Sequence, residues 1–347
     1  MREQAHALWA TVCCFILGTI AGIILLWGDT RPFTGGGSVL LPAALIAASI
    51  TAAAFLISTL FYRRGETRPM PRWQAAVSNI SAISVTIAMG GVAGLGVLLT
   101  GQVLTTGLQG LEFGQLGGGL FTGVAAAFGG RLAFQAGVQL STRDIANLLV
   151  SFLVIGTVFT MLTGTDPDWW ERNFSQLGVG TGAWAFNGTV IIAGLLVATI
   201  GLYIGRDLHR LLDDDALRHI AIVVIVWVAA GGTLVAVGGM PTDQLPIAHT
   251  IAAFTTLVLF VAAAALTTAA LSHPPAVLRT VTVMVVLLII MCTGLTLFVP
   301  GLSFTALESI VVGLVLLWLT TVIRVLNILV PNVSKTSQRS RLRRMHR

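Results

Sequence analysis

The sequence predicts an all-α fold, a polytopic transmembrane helical bundle of about ten spans with both termini in the cytoplasm. Three observations support this prediction. First, 55% of the residues are hydrophobic and only 10% are charged, whereas a soluble domain carries about 25% charged residues. Second, ten apolar runs each have about the 20 residues that a helix needs to cross the hydrocarbon core. Third, the basic residues fall almost entirely on one side when the runs cross the membrane in turn.

The ten apolar runs follow one another along the chain. The predicted spans are 7–27, 39–61, 77–100, 116–137, 145–163, 183–205, 219–238, 249–271, 278–299 and 306–329. The first run is too long for the core of a signal peptide and lacks a small-x-small cleavage site, so we expect a retained helix. The fourth run is rich in glycine and contains Arg131, which leaves open whether it crosses the membrane fully.

The basic residues test both the number of spans and their orientation. With the N-terminus inside, only Arg31 and Arg172 of the 20 Lys and Arg residues fall on the outer side. Losing the fourth span would invert every later segment and spoil this distribution. The positive-inside rule therefore favours ten spans, and we expect the protein in the plasma membrane.

The composition divides the chain into three predicted regions. Residues 1–142 form a glycine-rich region of four spans, residues 143–330 a six-span membrane domain, and residues 331–347 a basic cytoplasmic tail. The tail has no apolar pattern, so we expect it to be disordered. Its attraction to anionic lipid should be worth about 1 kcal/mol for each basic residue near the surface.

Glycines in the first region recur at a spacing that lets helices approach closely. The GxxxG pairs are Gly90 with Gly94, Gly114 with Gly118, and Gly119 with Gly123. Small residues four apart are common where transmembrane helices pack together. They indicate either packing inside the bundle or the face of a homo-oligomer.

One connecting segment is unusually polar for this chain. Residues 165–178 read TDPDWWERNFSQLG and link the fifth and sixth spans on the predicted outer face. The acids and proline before Trp169 are typical of a helix start. Trp170, Phe174 and Leu177 then follow at i, i+4 and i+7, which is the spacing of one apolar stripe. We therefore predict a short amphipathic helix that lies along the outer interface.

Several polar residues fall at a similar depth near the predicted outer face. We expect them to converge on a site that binds a lipid head group or a partner; the candidates are Asp166, Asp168, Glu171, Asn173, Ser175, Asn187, His249 and Glu308. Asn187 and Glu308 lie within predicted spans, where polar groups are costly and usually face the interior. Alternatively, both side chains reach the nearby interface and cap their helices.

The sequence assigns no catalytic residue, metal or cofactor to this site. A catalytic zinc needs about three protein ligands, and His249 is the one imidazole expected on the outer side. Ser175 and His249 form a geometrically feasible nucleophile–base pair, but no GxSxG motif supports it. An intramembrane lipid hydrolase is therefore kept as an alternative.

A transporter or permease subunit is the other alternative. Arg131, Gln135 and Gln139 lie at i, i+4 and i+8, and such a polar stripe indicates either a solute path or a helix that emerges into the cytoplasm. The predicted midplane of the bundle is nearly bare of polar groups, which disfavours continuous transport through it.

The remaining charges suggest other roles. The acids at 213–215 lie among Arg206, Arg210 and Arg218, as in a solvated, salt-bridged helical hairpin. The basic residues are not interleaved with aromatic side chains, so no nucleic-acid partner is expected. Membrane lipids are the expected partners.

Two short motifs in the second half resemble a known family. The segments NFSQLG and AWAFNG, followed by the helix AGLLVATIGL, are similar to a family of bacterial integral membrane proteins called domain of unknown function 998, and more distantly to DRAM-type membrane proteins. The resemblance covers about residues 143–330 and implies six spans. The matching residues are Asn173, Ser175, Leu177, Gly178, Phe186, Asn187 and Gly188, with His249 and Trp318 matching loosely. Gln176 stands where the family pattern has an acid or a small polar residue, which puts a shared acid-dependent activity in doubt.

Overall fold

The computed structural model of the protein describes residues 2–63, 72–212, 216–299 and 303–329. Ten α-helices occupy most of these ranges. They are α1 (Arg2–Leu25), α2 (Leu40–Arg63), α3 (Arg72–Leu104), α4 (Gln115–Val138), α5 (Thr142–Thr163), α6 (Ala183–Leu211), α7 (Leu217–Gly239), α8 (Pro246–Ala270), α9 (Ala276–Phe298) and α10 (Phe304–Leu329). Each predicted span coincides with one of these helices, which confirms the predicted all-α fold. Two short antiparallel strands, β1 (Arg31–Pro32) and β2 (Glu112–Phe113), pair in the loops of the first region.

Nine of the helices in the described ranges are long and apolar enough to cross a membrane. The exception is α4, which is the glycine-rich helix of the predicted fourth span. The length and composition of the other nine are those of a multi-pass membrane protein. The crossing of α4 and the side on which the termini lie stay predictions. The acids at 213–215 and the basic tail at 331–347 lie outside the described residues.

The helices form two compact units. Unit 1 comprises Met1–Leu140 and Asn147–Gly164, and unit 2 comprises Ser141–Ala146 and Thr165–Arg347. In unit 1, α4 packs against α1 and α2, and α2 packs against α3. In unit 2, α6 packs against α7, α7 against α8, and α9 against both α8 and α10.

All the GxxxG glycines of unit 1 except Gly114 pack against other parts of the same chain. A Cβ atom added at Gly90 would lie 3.0 Å from the carbonyl oxygen of Ala48, and one at Gly94 would lie 3.2 Å from the Ala48 Cβ. A Cβ at Gly123 would lie 2.9 Å from the carbonyl oxygen of Phe15. These glycines therefore allow close packing inside the unit, and the homo-oligomer face stays a prediction.

The polar stripe on α4 does not face the interior of unit 1. Arg131, Gln135 and Gln139 are all exposed, whereas the buried residues of α4 are glycines, alanines and one threonine. The stripe therefore lines no enclosed solute path within this unit.

Helices α6 and α7 are in backbone contact along one face. A Cβ added at Gly194 would lie 2.6 Å from the carbonyl oxygen of Gly231, and one at Gly231 would lie 2.5 Å from that of Gly194. Gly238 lies near the end of α7, and a Cβ there would lie 2.7 Å from the carbonyl oxygen of Asn187 at the start of α6. Only glycine fits at such distances, so these residues set how closely α6 and α7 approach.

Hydrogen bonds between threonine and tryptophan side chains link the other helices of unit 2. The indole nitrogen of Trp227 donates to Thr267 Oγ1 at 3.1 Å, and that of Trp318 donates to Thr282 Oγ1 at 2.8 Å. Thr282 also pairs with Thr268 at 2.8 Å, and the two indole rings stack with centroids 5.9 Å apart. These bonds satisfy polar groups in an apolar interior, so the interior contains more polar side chains than the sequence indicates.

Candidate functional site

The polar segment between α5 and α6 is folded into two short 3-10 turns. They cover Trp169–Glu171 and Phe174–Gly178, and we call the second one the serine turn. Between them Asn173 is fully extended, with φ −169° and ψ 164°. The prediction of one continuous amphipathic helix was therefore wrong, because the extended backbone of Asn173 interrupts it.

The predicted apolar stripe also fails to form one face. Leu177 is 4% exposed, whereas Trp170 is 55% exposed. A 3-10 helix has three residues per turn rather than 3.6, so side chains spaced for an α-helix point in different directions. Phe174 instead packs against Trp169, with ring centroids 5.1 Å apart.

The acids before the serine turn stabilise the segment locally. Asp166 accepts the backbone N–H of Asp168 at 3.0 Å and a guanidinium N–H of Arg172 at 2.9 Å. Arg172 also donates to the side chain of Gln176 at 3.2 Å. Asp168 and Glu171 are exposed. Asp166 therefore has a structural role in this turn, while the other two carboxylates are free to face a ligand.

The starts of α6 and α10 each hold the serine turn through one hydrogen bond. The Glu308 carboxylate, in the second turn of α10, accepts the backbone N–H of Phe174 at 2.7 Å. The Asn187 side chain, in the second turn of α6, donates to the carbonyl oxygen of Gly178 at 3.0 Å. Both polar side chains thus bond to the backbone of the serine turn rather than capping their own helices, and both hold the turn in position.

The third contact to the serine turn comes from α8. Ser175 Oγ lies 2.9 Å from His249 Nε2, and His249 Nδ1 lies 2.7 Å from the carbonyl oxygen of Met240. A carbonyl oxygen can only accept, so Nδ1 carries the hydrogen and Nε2 of the neutral ring accepts from the serine hydroxyl. His249 is 7% exposed. The imidazole is therefore held in one tautomer and one orientation.

Two buried polar atoms on the segments that carry Ser175 and Met240 lack a partner. Asn173 Oδ1 and Thr242 Oγ1 are both inaccessible, and neither has a hydrogen bond among the residues that the structure describes. Asn173 is two residues before Ser175, and Thr242 is two residues after Met240. Buried polar atoms without a protein partner are normally satisfied by water or by a ligand.

The charges at this end of unit 2 are unbalanced. Within 165–182, 240–249 and 303–308 there is one Lys or Arg side chain, Arg172, and there are five carboxylates, on Asp166, Asp168, Glu171, Asp243 and Glu308. The site is therefore electronegative. In these ranges no group of three or more His, Cys, Asp or Glu side chains could hold a metal ion, and the same is true of the rest of the described chain.

Exposed apolar side chains lie next to the polar ones. Leu245, Ile247 and Phe304 are exposed at the starts of α8 and α10, and Ile247 reaches 77%. Trp170 is exposed in the connecting segment, and tryptophan prefers the boundary between membrane and water. This end of unit 2 thus has the mixed surface of a membrane interface.

The structure brings together most of the residues that the sequence singled out. Asn173 immediately precedes the serine turn and Ser175 lies within it, while Asn187, His249 and Glu308 each contact it. Sequence reasoning missed Met240 and Thr242. Met240 acts through its backbone, so its side chain gives no signal, and Thr242 lies in a short loop whose composition is ordinary.

No curated protein and no solved structure matches the chain. A known protein family, however, matches its second half. Residues 148–325 match the family DUF998, which is described as "Protein of unknown function (DUF998)". The match covers just over half of the 347 residues and includes every residue that contacts the serine turn. The distant likeness to DRAM-type proteins stays a prediction. The chain therefore belongs to the DUF998 family.

Proposed function

We propose that this protein is a multi-pass plasma-membrane protein that binds a lipid head group beside the serine turn, on the outer face of the membrane. The observation that carries the proposal is the pair of buried, unpartnered atoms, Asn173 Oδ1 and Thr242 Oγ1. Leaving such an atom unsatisfied costs about 1–3 kcal/mol. A head group that displaces the side chains covering these atoms and supplies hydrogen-bond donors would remove that cost.

The surroundings of these atoms favour a lipid over a soluble ligand. The polar segment lies beside exposed apolar side chains, including Ile247 and Phe304. A lipid has the same arrangement, with a polar head next to acyl chains. A ligand in this place would use both surfaces at once.

The charge of the site favours a particular class of head group. This end of unit 2 has five carboxylates and one arginine, and that arginine is already paired with Asp166. Asn173 Oδ1 can only accept a hydrogen bond. The proposed ligand therefore carries an ammonium or hydroxyl donor, as phosphatidylethanolamine and glycolipids do, and is not a purely anionic lipid.

Binding can be measured with the full chain in nanodiscs of defined composition. We expect native mass spectrometry to show retention of phosphatidylethanolamine in preference to phosphatidylcholine, whose quaternary ammonium has no N–H to donate. Asn173→Ala and Thr242→Val should each weaken this retention about tenfold, because one hydrogen bond of about 1.4 kcal/mol is worth that factor.

A matched control lies close by in the sequence. Thr250 is exposed, and its hydroxyl bonds to the carbonyl oxygen of Pro246 in its own helix. Thr250→Val should therefore retain lipid as the unmodified protein does. Unchanged retention in both Asn173→Ala and Thr242→Val, with folding intact, would contradict the proposal.

A further inference from the structure

We infer that Ser175 and His249 form a nucleophile–base pair that cleaves an acyl ester of the lipid bound at this site. The inference rests on the proposed function, because head-group binding would bring the ester to the serine. Its chemistry stands on separate contacts, which neither Asn173 nor Thr242 makes.

The geometry of the pair meets the first requirement of nucleophilic catalysis. A serine hydroxyl is a weak nucleophile until a neighbouring base removes its proton, and base and hydroxyl must be within about 2.6–3.2 Å. Ser175 Oγ and His249 Nε2 are 2.9 Å apart. The free lone pair of Nε2 points at the hydroxyl because Nδ1–H is committed to the Met240 carbonyl oxygen.

Met240 provides the third member of this arrangement. In serine hydrolases a group bonded to Nδ1 holds the imidazole in the correct tautomer and stabilises the imidazolium that forms during the reaction. A carbonyl oxygen accepts the same hydrogen bond as a carboxylate but carries only a partial charge. We therefore expect a slower enzyme than one with a full Ser-His-Asp triad.

The serine is also held rigidly, as a nucleophile must be. Glu308 fixes the residue immediately before Ser175 through the Phe174 N–H, and Asn187 fixes Gly178 three residues after it. His249 lies on the first turn of α8, where its backbone N–H donates to the carbonyl oxygen of Leu245. Neither partner depends on a free loop for its position.

The location of the pair indicates the substrate class. The ester carbonyls of a glycerolipid lie between its head group and its acyl chains. Ser175 belongs to the connecting segment that carries exposed carboxylates, and His249 belongs to α8, which has exposed apolar side chains at its start. A head group held by the polar side would place the ester linkage at the level of Ser175.

The reaction is an acyl transfer to water in two steps. Ser175 Oγ attacks the ester carbonyl carbon while its proton moves to His249 Nε2. The bond to the alcohol then breaks, and the alcohol oxygen takes that proton, which leaves an acyl-serine. Water attacks the acyl carbon with the imidazole again taking the proton. Cleavage of the acyl–Oγ bond returns this proton to the serine and releases a carboxylic acid.

The first test is covalent labelling of the full-length protein with a fluorophosphonate, whose fluoride an activated serine displaces. We expect an adduct that peptide mass spectrometry assigns to Ser175. Ser175→Ala should abolish it, and His249→Gln should slow it by about 100-fold or more, because general-base catalysis contributes factors of this size. Ser309→Ala is the matched control, since this exposed serine lies at the same end of unit 2 and bonds to its own helix.

The second test separates a lipid ester from a soluble one. Release of fatty acid is measured from phosphatidylethanolamine vesicles and from a water-soluble nitrophenyl ester. Ser175-dependent release from the vesicles supports the inference. Turnover of the soluble ester alone would overturn the assignment to lipid.

A structural role for the same hydrogen bond would give a different pattern. If Ser175→Ala lowers stability but no adduct forms on the unmodified protein, the pair only fastens the serine turn, and the inference is overturned while lipid binding stands. If the adduct forms but Asn173→Ala and Thr242→Val leave lipid retention unchanged, the proposed head-group site fails and the nucleophile stands.

A cysteine variant guards against misfolding of the alanine variant. Ser175→Cys keeps the size and a nucleophilic group, and His249 should speed its reaction with iodoacetamide at least tenfold relative to Ser309→Cys. Adding His249→Gln should remove that advantage. Equal rates for the two cysteines would overturn the inference.

Discussion

Glu308 accepts a hydrogen bond from the backbone N–H of Phe174 at 2.7 Å, across 134 residues of sequence. A carboxylate inside an apolar helix is costly unless it is paired. Here the Glu308 carboxylate pairs with a backbone N–H, and this bond fixes the connecting segment between α5 and α6 to α10. Thr305 Oγ1 donates to the Trp170 carbonyl oxygen at 2.7 Å and strengthens the same junction.

Removal of the Glu308 side chain should destabilise the protein. Hydrogen bonds to charged groups contribute about 1.5–3 kcal/mol, so Glu308→Ala should lower the free energy of unfolding by about that amount. Glu308→Gln keeps an acceptor oxygen and should lose less. Denaturant unfolding of the purified protein, followed by tryptophan fluorescence, measures both. Ser309→Ala is the control, and a Glu308→Ala variant as stable as this control would contradict the prediction.

Asn187 should control how firmly the serine turn is held. Asn187→Ala removes the donor to the Gly178 carbonyl oxygen and should increase the rate of proteolytic cleavage within 165–182. Asn187→Asp should increase it more, because a carboxylate would then face a carbonyl oxygen without a donor. The exposed Asn147 supplies the control variant, Asn147→Ala. Equal cleavage rates for the Asn147 and Asn187 variants would show that this contact does not hold the turn.

Two adjacent glycines in α7 should respond in opposite ways to the same change. A Cβ at Gly231 would lie 2.5 Å from the carbonyl oxygen of Gly194, whereas a Cβ at Gly232 has nothing within 4 Å. Gly231→Ala should cost about 1–3 kcal/mol through overpacking. Gly232→Ala should be neutral or should stabilise α7 by roughly 0.5–1 kcal/mol. Thermal unfolding in detergent distinguishes them, and similar melting temperatures for the two variants would disprove the close crossing.

The helices were predictable from the sequence because each apolar run is long enough to span a membrane. Their ends were less predictable. Helix α6 continues to Leu211 beyond the predicted span of 183–205, because Arg206 and the polar residues after it extend the helix without interrupting its backbone. There, Asp207 is buried and accepts the hydroxyl of Thr142. Nothing in the sequence pairs these two residues.

The candidate site was predictable as a region but not as a set of contacts. Equal depth in the membrane indicated that Ser175, Asn187, His249 and Glu308 could meet. The pattern in 165–178 also fitted an α-helix, but that pattern reports only local preference. The backbone N–H of Phe174 is instead satisfied by a side chain far along the sequence, and no local periodicity contains that information.

The glycine face shared by α6 and α7 has a mechanical consequence. Two helices whose backbones touch at Gly194 and Gly231 cannot slide without collision, so they should move as one body. Asn187 ties the serine turn to this body, while His249 belongs to α8. A movement of α8 away from the α6–α7 pair would then break the Ser175–His249 bond together with the Trp227–Thr267 bond between α7 and α8. The distance between the Ser175 hydroxyl and the His249 imidazole would therefore report whether α8 is packed against the α6–α7 pair.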